Sequence, residues 1–202
     1  MTPRKERADA VRNRKAVLAA ADDLFARSAS PGSVSMDDVA AAAGVGKGTL
    51  FRRFGDRTGL IHALVEARLE ALRQAVDEGP ASLGPTAEPR ERVLALLDAV
   101  LQFKLDNRHL SLALEEAASC SPYQADHYVW WHRTLEHTLR QLPGFTENAT
   151  ADTTLTDSGF AAHALLAAAR ADLIDHLADQ EHMTRDRLRA HLAAFTAKLL
   201  DQ

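Results

Sequence analysis

Three features of the sequence predict an all-α protein of about nine helices, with a small N-terminal head and a larger helical body. Alanine and leucine, strong helix formers, dominate the apolar residues; aromatic residues make up only 5%, and Val and Ile are few. Apolar residues recur at helical rather than alternating spacing. Glycine and proline cluster where the chain is cut into helix-length pieces. With 202 residues and a 46% apolar share, the chain can bury a sizeable core and is too apolar to stay disordered.

Residues 1–9 read as a flexible basic arm. Val17, Ala21, Leu24, Phe25 and Ser28 mark one face of a helix from about Arg12, which Ser30-Pro31-Gly32-Ser33 ends. Ser35 is a good N-cap for a short second helix, and Asp37 and Asp38 sit in its first turn, where the helix dipole favours negative charge. Gly44 suits the left-handed position that closes it. A third helix begins near Gly46 and runs to about Phe54. After the turn Gly55-Asp56-Arg57-Thr58, a long fourth helix carries Leu60, Leu64, Leu69 and Leu72 to about Asp77. Gly79–Pro89, with Gly79, Pro80, Gly84, Pro85 and Pro89, is the clearest linker. Helical patterns resume over Glu91–Asn107, Leu110–Ala118 and Pro122–Leu142, the last closed by Pro143-Gly144. Phe145–Thr156 reads as a polar loop. Two final helices are expected over about Asp157–Ala178 and Arg185–Leu200, with no convincing strand and no internal repeat.

Charge is unevenly spread. The whole chain is −4, yet residues 1–60 carry 11 Lys and Arg against 7 acids, or +4, which leaves −8 for the rest. A basic head on an acidic body concentrates attraction to phosphates at one end. The single cysteine, Cys120, cannot close an intrachain disulfide and suits a reducing cytoplasm; it reads as a structural thiol, with redox sensing the alternative. The charged start Met1–Arg14 is no secretory signal, and the longest apolar run, Ala161–Ala169, is too short to span a bilayer.

The informative segment is Ser35–Phe54, SMDDVAAAAGVGKGTLFRRF. Two short helices meet at Ala43-Gly44-Val45. Ala40 and Ala43 allow close approach, while Val39, Val45, Leu50 and Phe54 can share a small core. This is the pattern of a helix-turn-helix, whose second helix fits the major groove of B-DNA. Gly46, Lys47, Gly48 and Thr49 lie at the start of that helix. Lys47 can neutralise a phosphate or reach guanine, and Thr49 can hydrogen-bond or touch a thymine methyl. Arg52, Arg53 and Arg57 follow where backbone contacts belong. The competing structural reading is an αα-corner that merely packs.

This region resembles the DNA-binding region of the TetR family of one-component regulators. The resemblance is carried by Asp38-Val39-Ala40, Ala43-Gly44-Val45, Gly48-Thr49-Leu50-Phe51, Phe54 and Asp56-Arg57 with Leu60, and by Ala20-Ala21 and Leu24-Phe25 upstream, over about residues 10–66. It implies a helix-turn-helix DNA-binding domain over 10–60 and an effector-binding and dimerisation domain over 61–202. It further implies a homodimer, usually through the last two helices, and a repressor released from double-stranded operator DNA by a small-molecule effector. By motif position, Lys47, Thr49 and Phe51 fall on the DNA-contacting helix. Ser35 and Met36 start its supporting helix, and Arg57 falls where a lysine commonly meets phosphate. Two departures stand out: Gly46 replaces a usual serine cap, and Phe51 replaces a tyrosine.

Other readings are weaker. Gly44–Thr49 lacks the spacing of a phosphate loop. His127, His132 and His137 are spaced by five and do not share a helix face, and Asp172 with His176 supplies only two ligands, so no metal and no cofactor is expected. No nucleophile or acid–base constellation supports an enzyme. The scarce aromatic residues of the body point to Tyr123–His132 as pocket lining: Phe103, His109, Glu115, Tyr123, Tyr128, Trp131 and His132 would suit a small, mostly apolar effector. The alternative function is a helical small-molecule binder of this fold that does not read DNA.

Overall fold

A computed structural model describes residues 3–28, 33–79, 82–116, 122–147 and 156–201. Cys120 lies outside the described residues, as do the side chains of residues 3–10 and of Glu115. The elements in chain order are α1 (Pro3–Arg27), α2 (Met36–Ala43), α3 (Lys47–Phe54), α4 (Arg57–Asp77), α5 (Pro89–Asp106), α6 (Arg108–Glu116), α7 (Asp126–Leu139), β1 (Phe145–Thr146), β2 (Thr156–Asp157), α8 (Ser158–Ala168), α9 (Ala171–Asp179) and α10 (Arg185–Leu200). The all-α expectation holds.

Four local expectations are corrected. The N-terminal arm is helical from Pro3, so α1 is 25 residues long. The helix expected over Asp157–Ala178 is two helices. Ala169 ends α8, and Arg170 takes an extended N-cap conformation before α9. No glycine or proline marks this break. It is closed by Arg170, whose guanidinium donates two hydrogen bonds to Asp172 at 3.0 and 2.8 Å. Residues two apart do not face each other on a continuous helix, so the pair can form only across a break. The helix expected from Pro122 opens as a 3-10 turn, Pro122–Gln124, before α7. Finally, β1 and β2 form a two-residue parallel pair within the segment expected to be loop.

The chain divides into two compact units, Met1–Leu69 with His109–Ala118, and Glu70–Arg108 with Ser119–Gln202. In the first, Val17, Ala21 and Phe25 of α1, Met36, Val39 and Ala40 of α2, Leu50 and Phe54 of α3, and Leu60, Ile61 and Leu64 of α4 are buried. The face predicted for α1 and the α2–α3 core are therefore real, although Val45 is only half-buried.

In the second unit α5 is the central helix: Val93, Leu96, Leu97, Val100 and Leu101 are all buried. Leu101 clusters with Ile174 of α9 and Leu188 of α10. Ion pairs run along the α5–α10 seam, Arg90 with Asp201 at 2.5 Å, Arg189 with Asp98 at 2.7 Å, and Arg185 with Asp106. These are exposed and contribute little each; the apolar seam beneath them, at about 1.5–3 kcal/mol per buried side chain, carries the packing.

Arg92 is the exception among the charged residues. It is 6% exposed. Its Nε donates to the Leu83 carbonyl and an Nη to the Val76 carbonyl, both at 3.1 Å. Burial pushes its pKa down, partly offset by Asp77. One guanidinium thus satisfies a carbonyl in the last turn of α4 and ties down the segment expected to be a linker. Arg92→Ala should lower unfolding stability by about 2–4 kcal/mol, because two carbonyls lose a charged donor. Denaturant unfolding followed by circular dichroism checks this.

Candidate nucleic-acid interface

Helices of eight residues are marginal in water, so α2 and α3 depend on their ends and on burial. Ser35 caps α2: Asp38 N donates to Ser35 Oγ at 3.1 Å, and Ser35 N donates back to Asp38 Oδ2 at 3.0 Å. The Ser35 hydroxyl also donates to Asp38 Oδ2 at 2.5 Å. This reciprocal capping box holds the Asp38 carboxyl below the usual carboxylate range, the Ser35 side chain first and its backbone second. At the other end Gly44 has φ 64°, a left-handed conformation that a side chain would strain. Gly44 N donates to Ala41 O at 3.2 Å and Val45 N to Ala40 O at 3.0 Å, the paired bonds of a Schellman turn. The chain is thereby reversed over three residues, and α3 starts at Lys47.

At that start Gly46 makes no side-chain cap. A Cβ built at Gly46 or Gly48 would meet no atom within 4 Å. Lys47, Gly48, Phe51, Arg52 and Arg53 are exposed, and Thr49 is half-buried. The opposite side of the helix is core, with Leu50 at 1%. Lys47 does not stand alone: its Nζ pairs with Asp37 in the first turn of α2.

Two expected contact residues turn inward. Met36 is buried, so its side chain packs in the head rather than on its outer face. Arg57, expected to meet phosphate, is half-buried at the start of α4. Its Nε donates to the Val34 carbonyl at 3.0 Å, and its guanidinium lies 5.5 Å over the Phe25 ring. Arg57 binds α4 to α1 and to the segment before α2. The start of α4 is further held by Asp56, whose Oδ1 accepts from Gly59 N at 2.8 Å.

The residues expected to line a pocket separate into several settings. Tyr123, Tyr128 and His132 do come together, joined by His163 of α8, which the sequence reading did not single out. Tyr128 Oη lies 2.6 Å from His163 Nδ1, and the His132 and His163 rings are 3.9 Å apart between centroids. Tyr123 packs edge-on against Tyr128 at 5.1 Å, and His132 Nε2 donates to the Gly159 carbonyl at 3.1 Å. Tyr123 is 54% exposed, so this cluster forms an outer surface. The signal available in the sequence was the spacing of four between Tyr128 and His132; the partner on α8 is a tertiary contact. Trp131 is buried against Trp130, whose ring carries the Arg73 guanidinium at 5.2 Å. Phe103 is half-buried on α5, and His109 belongs to the first unit.

A capped helix pair joined by a glycine turn, with one cationic outer face and longer helices behind it, is a helix-turn-helix domain. Residues 17–64 match the family model described as bacterial regulatory proteins, tetR family. An HTH-type transcriptional regulator of Staphylococcus aureus (strain MRSA252) is 29% identical over 119 residues, 58% of this chain and 61% of that protein. Another, from strain USA300, is 30% identical over 113 residues, 54% of this chain and 57% of that protein. The chain thus spans about three fifths of the length of the curated relatives it matches. A solved TetR-family transcriptional regulator from Rhodococcus sp. has the same fold, with a TM-score of 0.64 at 23% identity over 95% of this chain and 100% of that one. The head, over residues 17–64, is thus similar to the DNA-binding region of the tetR family, and the fold is that of solved TetR-family proteins.

Two outcomes follow from this geometry. A Cβ at Gly59 would sit 2.0 Å from the Phe54 carbonyl oxygen. Alanine normally stabilises a helix relative to glycine by about 1 kcal/mol. Here the clash with backbone outweighs that gain, and Gly59→Ala should lose about 1–3 kcal/mol in thermal unfolding. The second concerns His163. Loss of water around its ring, with His132 beside it, lowers its pKa, and Glu136 partly opposes this. The unfolded chain therefore takes up the proton first as pH falls, and the contribution of the neutral ring is lost through that range. Between about pH 7.5 and about pH 5.5 the unfolding midpoint should fall more in the wild type than in His163→Gln.

Proposed function

We propose that the chain is a homodimeric transcriptional repressor that reads double-stranded operator DNA through α3 and is released by a small-molecule effector. The observation that carries this reading is the start of α3, where Lys47 and Gly48 are exposed, Thr49 is half-buried, and a Cβ at Gly46 or Gly48 would meet no atom within 4 Å. Small residues there let a DNA backbone come close. Lys47 can reach guanine or phosphate, Thr49 and the exposed Phe51 can touch thymine methyls, and Arg52 supplies a phosphate contact. Ser35, Met36 and Gly46 would contribute through the first turns of their helices, whose amides suit phosphate oxygens. Arg57 would position α4 rather than bind phosphate.

The pairing of half-sites calls for two heads, and the second unit offers surfaces for a homodimer. Phe160 of α8 is 72% exposed and Phe195 of α10 is 51% exposed, on the helices that the family resemblance assigns to dimerisation. In this reading residues 10–60 form the DNA-binding domain and 61–202 the effector-binding and dimerisation domain, the protein is not an enzyme, and it works in the cytoplasm. No helix among the described residues is long and apolar enough to cross a membrane.

Selection of bound duplexes from a random pool, followed by anisotropy titration, tests the proposal. Lys47→Ala and Arg52→Ala should each weaken binding to the selected duplex by about five- to a hundredfold with unchanged helicity. Arg52→Ala should also reduce the steepness of the salt dependence by about one phosphate contact. Unchanged affinity in both variants, or a wild type that selects no sequence, refutes DNA reading and favours the effector binder without an operator.

A further inference from the structure

The two acids in the first turn of α2 have different employment. Asp38 is consumed by the capping box with Ser35. Asp37 takes no part in that cap; it pairs with Lys47 of α3 instead. Lys47 is the first residue of α3, so its charge sits at the positive end of its own helix dipole, an unfavourable place for a cation. No acid lies in the first turn of α3, and Gly46 brings no side chain to the cap. Asp37 is therefore the group that offsets the misplaced charge. Both side chains are more than half exposed, at 57% for Asp37 and 64% for Lys47, so the pair lies on the surface that the reading face presents.

We infer that Asp37 is a selectivity-determining residue: it holds Lys47 in the free head, so only a duplex that gives Lys47 a better acceptor draws it away. The inference rests on the DNA-reading role proposed above and adds a residue that works against binding. An unmatched duplex offers Lys47 phosphate but no guanine held in register with α3. Taking that phosphate must break the ion pair and leave the Asp37 carboxylate facing a polyanion. A matched site offers guanine acceptors in addition, which repay the loss. Exposed ion pairs are individually weak, so the effect is a modest bias applied to every unmatched site, and unmatched sites vastly outnumber the operator.

The test uses the full chain, the selected duplex and a random-sequence duplex of equal length, titrated at one fixed low salt concentration. Asp37→Asn should raise affinity for the random duplex by about three- to tenfold and for the selected duplex by about twofold or less, lowering the selectivity ratio. Asp37→Glu, which keeps the charge, should restore most of that ratio. In the Lys47→Ala background Asp37→Asn should have a clearly smaller effect, because the pair no longer exists. Circular dichroism shows that each variant is folded. A gain of equal size in the Lys47→Ala background means simple charge repulsion and overturns the inference. So does reduced binding to the selected duplex by Asp37→Asn, which would make Asp37 itself a base contact, to a cytosine amino group. Unchanged affinities in Asp37→Asn, with a wild type that binds, overturn this inference alone. A wild type that binds neither duplex overturns the reading of the head along with it.

Discussion

The reversal at Gly44 is the constraint on which the head depends. Two eight-residue helices cannot sustain themselves, and an αα-turn of three residues leaves no slack to correct a poor angle. The left-handed Gly44 directs α3 away from α2, while Val45 and Gly44 return their amides to α2 carbonyls. The turn therefore closes one helix and sets the start of the next. Leu50 and Phe54 are then delivered into the core shared with Val39 and Phe25, and the opposite side of α3 is left bare. Exposure of Lys47, Phe51 and Arg52 is a consequence of that burial: on a helix of two turns, choosing the buried face chooses the exposed one.

Much of this was legible in the sequence because it is local chemistry. Ser35 as an N-cap, Gly44 as the left-handed close, and the apolar positions of α1 and α3 each state their role within a few residues, and the structure uses them as read; the return bond from Ser35 N to Asp38 is added by the structure. The Arg185–Leu200 pattern likewise gives α10 its observed limits. What was not legible depends on distant partners. Nothing near Ala169 marks the end of α8; the break is visible only once Arg170 is seen holding Asp172. Arg92 sits in a regular helical pattern and looks like a solvated charge, yet it is buried on carbonyls 16 and nine residues away. His163 becomes part of a ring cluster only when α8 lies against α7.

The same distinction sorts the cations of the head. Position in the sequence put Lys47, Arg52 and Arg57 in one class, as groups for DNA. Geometry divides them. Arg57 spends its donors and its flat face on Val34 and Phe25, Lys47 is shared with Asp37, and Arg52 is exposed on the outer side of α3. The net charge over 1–60 already counts Asp37 against Lys47, so the geometry changes where the cations are presented rather than how many there are.

Arginine, rather than lysine, does the structural work at both ends of α4. At its first residue Arg57 reaches the Val34 carbonyl while lying over an aromatic ring; near its last, Val76 O is met by Arg92, which simultaneously holds Leu83 O. Each task asks one side chain to satisfy two partners in different directions. A planar guanidinium with several fixed donors does this while most of its surface is covered, and it keeps its charge there. An ammonium group offers a point charge on a flexible stem, hydrates more strongly, and loses its proton more readily when buried. The two arginines act as multi-point anchors, which makes them poor sites for a conservative exchange. It also explains why a composition count that treats Lys and Arg as one basic class could not distinguish the anchors of α4 from the exposed cations of α3.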